Sequence, residues 1–238
     1  DVEYLIKGTN HAFPRLNLKA KDVESSWAGV RPLIHEDGKS ASEISRKDEI
    51  FESETGLISI AGGKLTGYRK MAEKVVDRLY DRLNDEEDLP IVETKTIHID
   101  LDNGAFKNAK AVKKYRKTIR EQLEVIGLEK YYAGYLVSNY GKVTDEIIEG
   151  MNAFDNKALH LKLIRSELRY CLENEMVFSI QDFYIRRTGR LYFDIHSIKP
   201  TLEVILKDFQ NHFGWSAEKV LSEKEAMEKA IEEVSVFG

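Results

Sequence analysis

"GLISIAGGKLTGYRKMAEKVVDRLYDRL", residues 56–83, sets a double glycine and a lysine between a short apolar run and a helical pattern. Leu57, Ile58 and Ile60 read as a short buried strand, bounded by Gly56 before and Gly62-Gly63 after. From Met71 the residues Met71, Val75, Leu79 and Leu83 recur at every fourth position, with Ala72 and Val76 beside them, and predict one buried helix face. The stretch is strand, glycine turn, helix. Such a junction aims unpaired N–H groups and the positive end of a helix dipole at one point, and glycine lets another molecule approach the backbone. Lys64, Arg69 and Lys70 add cations where cations ordinarily oppose the dipole. A bound anion accounts for this; so does an ordinary strand-to-helix connection with solvated lysines, and the pattern does not choose. A Walker-type phosphate loop is excluded, since Ile58 stands five residues before Gly63 and Leu65 follows the lysine.

With 238 residues the chain suffices for one large domain or two modest ones. Charged residues make up 32% and hydrophobic residues 42%, the balance of a soluble globular protein, and a net charge of −5 argues against nucleic acid as the main partner. Cys171 is the single cysteine, which removes any disulfide framework or cysteine-based metal site and is compatible with a reducing compartment. No apolar run approaches a membrane span, and "DVEYLIKGTNHAFPRLN" (1–17) has none of the regions of a signal peptide. It opens in an amphipathic helix pattern with Asp1 where an initiator methionine would stand, so the sequence is expected to be a fragment of a longer protein.

Residues 1–12 predict a helix ended by Pro14, and "SWAGVRPLI" (26–34) a strand, because Pro32 pushes Arg31 into extended conformation. Residues 35–43 read as a loop and 44–53 as a second strand; the helix after the glycines runs to about Leu83. "NDEEDLP" (84–90) has linker character and marks the expected domain boundary, so that domains of 1–90 and 91–238 are predicted. Residues 93–101 alternate like a strand. Beyond about residue 105 the signals are helical, over 107–126, 129–139, 143–151, 160–178, 180–188, 201–213 and 216–235. Ser179 with Asp182 forms a capping-box pattern, and Thr201 after Pro200 is the expected N-cap of the next helix. The fold class expected is α+β and mainly α: a partial α/β remnant followed by an all-α carboxy-terminal domain. Two or three strands alone leave edges and an apolar face uncovered, so part of the sheet is expected upstream of Asp1.

Arg31 lies inside the apolar run 27–34, and Arg46 shares a strand face with Ile44 and Ile50; a cation so placed needs a carboxylate or a ligand. Together with Lys64 they suit a phosphate or another dianion. The six histidines show no metal-ligand spacing, and neither G-x-S-x-G nor a Cys–His arrangement is present. Residues 106–120 carry seven basic residues and no acidic one, which reads as a solvated helix face or as a surface that docks on an anionic membrane. Arg186 and Arg187, among aromatics, read first as packing and ion-pairing residues.

Four segments carry a family likeness: "ESSWAGVRPLI" (24–34), "ISRKDEI" (44–50), "GLISIAGGKLTGYRKMAE" (56–73) and "ENEMVFSIQDFYIRRTGRLYF" (173–193). In order and rough spacing the chain resembles the FAD-dependent glycerol-3-phosphate dehydrogenases, the bacterial aerobic group above all. Only "IHEDGKSASE" separates the "RPL" and "SR" segments, where related glycerophosphate oxidases often carry a long insertion. Gly67 is a departure, standing where many relatives have a second threonine and leaving Thr66 as the only hydroxyl there.

The resemblance implies the carboxy-terminal part of an oxidoreductase. It would oxidise sn-glycerol 3-phosphate to dihydroxyacetone phosphate by hydride transfer to FAD and pass electrons to a membrane quinone. Residues 1–90 would complete the FAD and substrate domain. The family's G-x-G-x-x-G lies near the enzyme's N-terminus and no such motif occurs here, so the chain alone is expected neither to hold FAD firmly nor to turn over. Gly62, Gly63, Lys64, Leu65 and Thr66 would meet the flavin; Arg31 and Lys64 would act as catalytic residues at the C2 oxygen; Arg46, with them, would bind substrate through its phosphate. No convincing base is present; His35 is near in sequence, but the family pattern does not support it. A cytoplasmic protein with peripheral contact at the inner face of the cell membrane is implied, and a homodimer is one assembly expected. The rival readings are a helical module that docks on an anionic membrane or partner, and a phosphate-binding regulatory domain built on Arg31, Arg46 and Lys64.

Overall fold

The computed structural model describes residues 1–30, 34, 38, 47–88, 90, 92–99 and 106–236, without the side chains of Asp85 and Glu86. The chain divides into two compact units, residues 29–101 and residues 1–28 with 102–238. The described residues are mainly helical, with one two-stranded sheet.

In the smaller unit, strands β1 (Asp48–Glu52) and β2 (Ile58–Gly62) form an antiparallel hairpin with Ile50 opposite Ile60 and Asp48 opposite Gly62. Ile58, Ile60 and Gly62 turn to the more covered side, Ser59 and Ala61 outward, the period-2 alternation of a half-buried strand. Helix α2 (Tyr68–Glu87) follows the glycines. Its expected buried face is only partly covered: Met71 and Val75 are half-buried, whereas Val76, Leu79 and Leu83 are exposed. Two short strands offer too little surface to cover a twenty-residue helix. The helix also runs through residues 84–87, predicted as linker, because Glu86 and Glu87 are good helix formers; it stops at Asp88 in left-handed conformation. Residues 93–99 form no strand but a short 3₁₀ turn at Thr96–His98, since no partner edge lies beside them among the described residues.

In the larger unit, α1 (Val2–Ala12) matches the predicted first helix, though none of its residues is buried. Residues 26–30 are not the expected strand. The Ser26 amide donates to the Val234 carbonyl at 2.8 Å and Trp27 packs on Tyr192 at 4.6 Å, so aromatic packing and not strand pairing holds this segment. The helices α3 (Ala109–Ile126), α4 (Tyr131–Tyr140), α5 (Thr144–Gly150), α6 (Leu159–Asn174), α7 (Arg190–Phe193), α8 (Ile198–Phe213) and α9 (Ala217–Ser235) enclose one core. Ile119, Leu123, Leu136, Leu168, Ile205 and Phe209 are fully buried in it.

Ser179 and Asp182 form the expected capping box: the Asp182 amide donates to Ser179 Oγ at 3.1 Å and the Ser179 amide to Asp182 Oδ2 at 3.0 Å. The turn it starts, Asp182–Arg187, is a π-helix, closed where the Thr188 amide reaches the Phe183 carbonyl at 3.0 Å. Helix α6 stops at Asn174, short of the predicted residue 178. Arg187 Nε and Nη2 donate to the Glu175 carbonyl at 2.8 and 2.6 Å, a cation satisfying a helix's C-terminal end. Thr201 is not an N-cap. Helix α8 begins at Ile198, and Pro200 is tolerated in its first turn, where no intrahelical N–H bond is made. The Thr201 hydroxyl is buried, 2.7 Å from the Ser197 carbonyl and 2.8 Å from the Tyr184 hydroxyl.

Candidate functional site

The turn between β2 and α2 begins with two successive residues in left-handed backbone, Gly62 at φ 78° and Gly63 at φ 72°. A Cβ on Gly62 would stand 2.5 Å from the Lys47 carbonyl oxygen, and one on Gly63 3.1 Å from Met71 Sδ and 3.3 Å from Asp48 Cβ. The chain's own backbone and side chains fill those directions, so the hairpin end itself demands both glycines. Lys64 then returns to extended backbone, and its carbonyl accepts from the Gly67 amide at 2.8 Å, closing a 3₁₀ turn, Leu65–Gly67, on which α2 is built.

The amides of Lys64, Leu65 and Thr66 precede the first closed turn and make no backbone hydrogen bond among the described residues. No side chain caps this end of the helix. The side chains of Lys64, Leu65 and Thr66 are exposed, Leu65 by 90%. The Lys64 ammonium has no ion-pair partner among the described residues. Its neighbours in sequence do: Arg69 Nη1 lies 2.5 Å from Glu73 and 3.1 Å from the Thr96 hydroxyl, and Lys70 bonds the same carboxylate. Hydrogen bonds from Lys70 and then Arg69 hold the Glu73 carboxyl below its ordinary pKa, and one from Lys74 does the same for Asp48, at 2.5 Å. Of the three cations at this turn, Lys64 alone has no ion-pair partner among the described residues.

Of the residues read as site candidates, Gly62, Gly63, Lys64, Leu65 and Thr66 therefore form one continuous turn, and the amides of Lys64, Leu65 and Thr66 have no backbone partner among the described residues. Arg31, Arg46 and His35 lie outside the described residues. The sequence reading missed a groove of about 480 Å³ beside the first turns of α2, where Tyr68, Ala72 and Val76 face Thr94, Thr96 and Ile97. Its only signal is the alternation of 93–101, which reads as a strand and not as a wall. Among the described residues no three His, Cys, Asp or Glu side chains gather as a metal site, and no helix is long and apolar enough to cross a membrane.

The chain thus joins a small α/β unit that carries a glycine turn to a helical unit, an α+β architecture that is mainly α. The family described as the C-terminal domain of alpha-glycerophosphate oxidase matches residues 64–220, and the chain belongs to it. The chain is 39% identical over 239 residues to an aerobic glycerol-3-phosphate dehydrogenase of Bacillus subtilis, covering 99% of this chain and 43% of that protein. It is 41% identical to the Staphylococcus haemolyticus protein of the same name, over 99% of this chain and 42% of the relative. The crystal structure of the glycerol-3-phosphate dehydrogenase of Bacillus halodurans complexed with FAD matches with a TM-score of 0.78 at 34% identity, over 98% of this chain and 45% of that one. The chain thus spans about two fifths of the length of the curated relatives it matches.

Proposed function

We propose that this chain is the carboxy-terminal part of an FAD-dependent glycerol-3-phosphate dehydrogenase, which oxidises sn-glycerol 3-phosphate to dihydroxyacetone phosphate. The observation that carries the reading is a match along 98–99% of the chain, at 34–41% identity, to proteins named for that activity. In the whole protein residues 1–90 complete the domain for FAD and substrate and residues 91–238 form the helical carboxy-terminal domain, although within this chain residues 1–28 pack with the helical unit.

The turn at 62–66 fits a flavin on chemical grounds. Three consecutive amides and one ammonium without partners among the described residues suit an electron-rich acceptor. When bound, FAD supplies the acceptor for the hydride that leaves C2 of the substrate. The amides of Leu65 and Thr66 donate to the cofactor, and the Lys64 ammonium steadies the charge that develops on the C2 oxygen. Arg31 shares that task, and Arg46 grips the substrate phosphate with its planar fork. The hydroxyl proton goes to a base outside this chain. Gly62 and Gly63 serve the reaction indirectly, by fixing the turn that carries these donors. Electrons pass to a quinone, through peripheral contact of the full protein with the inner face of the membrane, and the 238 residues alone do not turn over.

The test is made on the full-length protein that carries this chain. Anaerobic glycerol 3-phosphate should bleach its flavin absorption band, and Lys64→Ala should slow the bleaching by about a hundredfold, the scale for removing one charge-stabilising donor. A full-length protein without flavin, or with a flavin indifferent to glycerol 3-phosphate, refutes the reading.

A further inference from the structure

The basic stretch noted in the sequence folds into a concave surface. Lys113, Arg116, Lys117 and Arg120 occupy successive turns on one side of α3, and Lys130 and Tyr131 face them from the start of α4 across a cleft of about 320 Å³. Nothing lies within 4 Å of where a Cβ on Gly134 would stand, so α4 leaves the cleft open there.

The charges in this cleft are poorly compensated. Lys117 reaches Glu121 only at 3.6 Å and Arg120 meets Glu124 at 2.9 Å, both of them exposed pairs along the helix. Lys113, Arg116 and Lys130 have no ion pair among the described residues. Lys113 with Lys117, and Arg116 with Arg120, are like charges one helical turn apart, an arrangement that works against the helix. The amides of Lys130 and Tyr131, at the positive end of α4, make no backbone hydrogen bond among the described residues. Cations and a helix start converge on one cavity from two elements, and among the described residues only the exposed pairs to Glu121 and Glu124 offset them. A surface that needed only solubility would alternate its charges.

We propose that the cleft between α3 and α4 binds a dianionic or polyanionic phosphate group. Arg116 grips two phosphate oxygens, Lys113 and Lys130 approach from either side, and the α4 amides close the ring of donors. Tyr131 stands at the rim, where its ring can cover whatever carries the phosphate. The source is either a soluble organic phosphate or a phospholipid headgroup; the recognising chemistry is shared. This does not rest on the dehydrogenase reading, whose residues belong to the other unit of the chain.

The full-length protein is titrated with inorganic triphosphate in a calorimeter, and separately sedimented with vesicles of phosphatidylcholine containing phosphatidylglycerol. Arg116→Gln with Lys130→Gln should weaken binding at least about tenfold, the cost of losing hydrogen bonds to a charged group. Lys107→Gln with Lys114→Gln, an equal charge change outside the cleft, should weaken it much less. Triphosphate binding without vesicle binding supports the site with a soluble ligand. Vesicle binding that the cleft variant abolishes and triphosphate displaces supports it with a headgroup. Binding in neither arm, or equal loss in both variants, overturns the proposal.

Discussion

Arg190 and Glu167 form a buried ion pair whose removal should be the most damaging single change in the helical unit. Their side chains are 5% and 0% exposed, with Arg190 Nη2 2.9 Å from Glu167 Oε2. Glu167 Oε1 also accepts from the Tyr140 hydroxyl at 2.8 Å and from the Tyr135 hydroxyl, and the guanidinium lies 5.0 Å over the Tyr135 ring. Burial opposes the charge on Arg190, yet Glu167 holds its pKa above the ordinary value; burial likewise drives the Tyr135 and Tyr140 hydroxyls upward, so both remain donors. Arg190→Met leaves a buried carboxylate with two hydroxyls as its only partners. Breaking a buried pair costs about 3–5 kcal/mol, and the two hydroxyls place this case near about 3.

Glu167→Gln keeps an acceptor for the tyrosines but strips the cation of one partner, leaving Asp194 at 3.2 Å; about 2 kcal/mol is expected. In the double variant no isolated charge is buried, so its loss should fall short of the sum by about 2 kcal/mol. Both tryptophans, Trp27 and Trp215, lie in the helical unit, so their fluorescence during urea unfolding reports this unit alone. Losses that add within about 0.5 kcal/mol, or an Arg190→Met loss under about 1 kcal/mol, would refute the coupling.

Gly62→Ala places a non-glycine residue at φ 78° with its Cβ against a carbonyl oxygen, and should destabilise the hairpin by about 2 kcal/mol or more. Gly63→Ala is strained at φ 72° too, but its Cβ meets Met71 Sδ and Asp48 Cβ at 3.1 and 3.3 Å and no backbone oxygen, so it should cost less; hydrogen exchange of the β2 amides ranks the two. Asp48 and Glu73 titrate below their ordinary 3.8 and 4.5, so the stability they contribute is fully present above those values and lost as pH falls through the lower folded ones. Carboxyl NMR titration should give both midpoints on the low side, with Lys74→Met moving Asp48 upward and leaving Glu73 unchanged. Asp182→Ala removes the side chain that accepts from the Phe178 and Ser179 amides and should cost the helical unit about 1 kcal/mol by the same fluorescence assay.

The helical unit was legible because its signals are local and redundant. Each apolar stripe repeats over several turns, and the capping box at Ser179 and Asp182 carries its geometry in four residues. Thr201 misled for the complementary reason: a hydroxyl after a proline looks like a cap, and only the distant Tyr184 explains why it is buried. Arg190 was passed over altogether, since the sequence around it shows Arg186 and Arg187 equally and nothing local places Glu167 beside it, 23 residues earlier. The candidate site divides along the same line. The glycine turn is a local necessity, and its donors follow from where the helix starts. The commitment of Arg69 and Lys70 to Glu73 is open to reading at three- and four-residue spacing, and it removes both from the cations a bound anion would use. A cation near a helix start is evidence for a ligand only once the carboxylates one turn further along have been subtracted. By that subtraction Lys64 remains at the turn, and Lys113, Arg116 and Lys130 remain in the α3–α4 cleft.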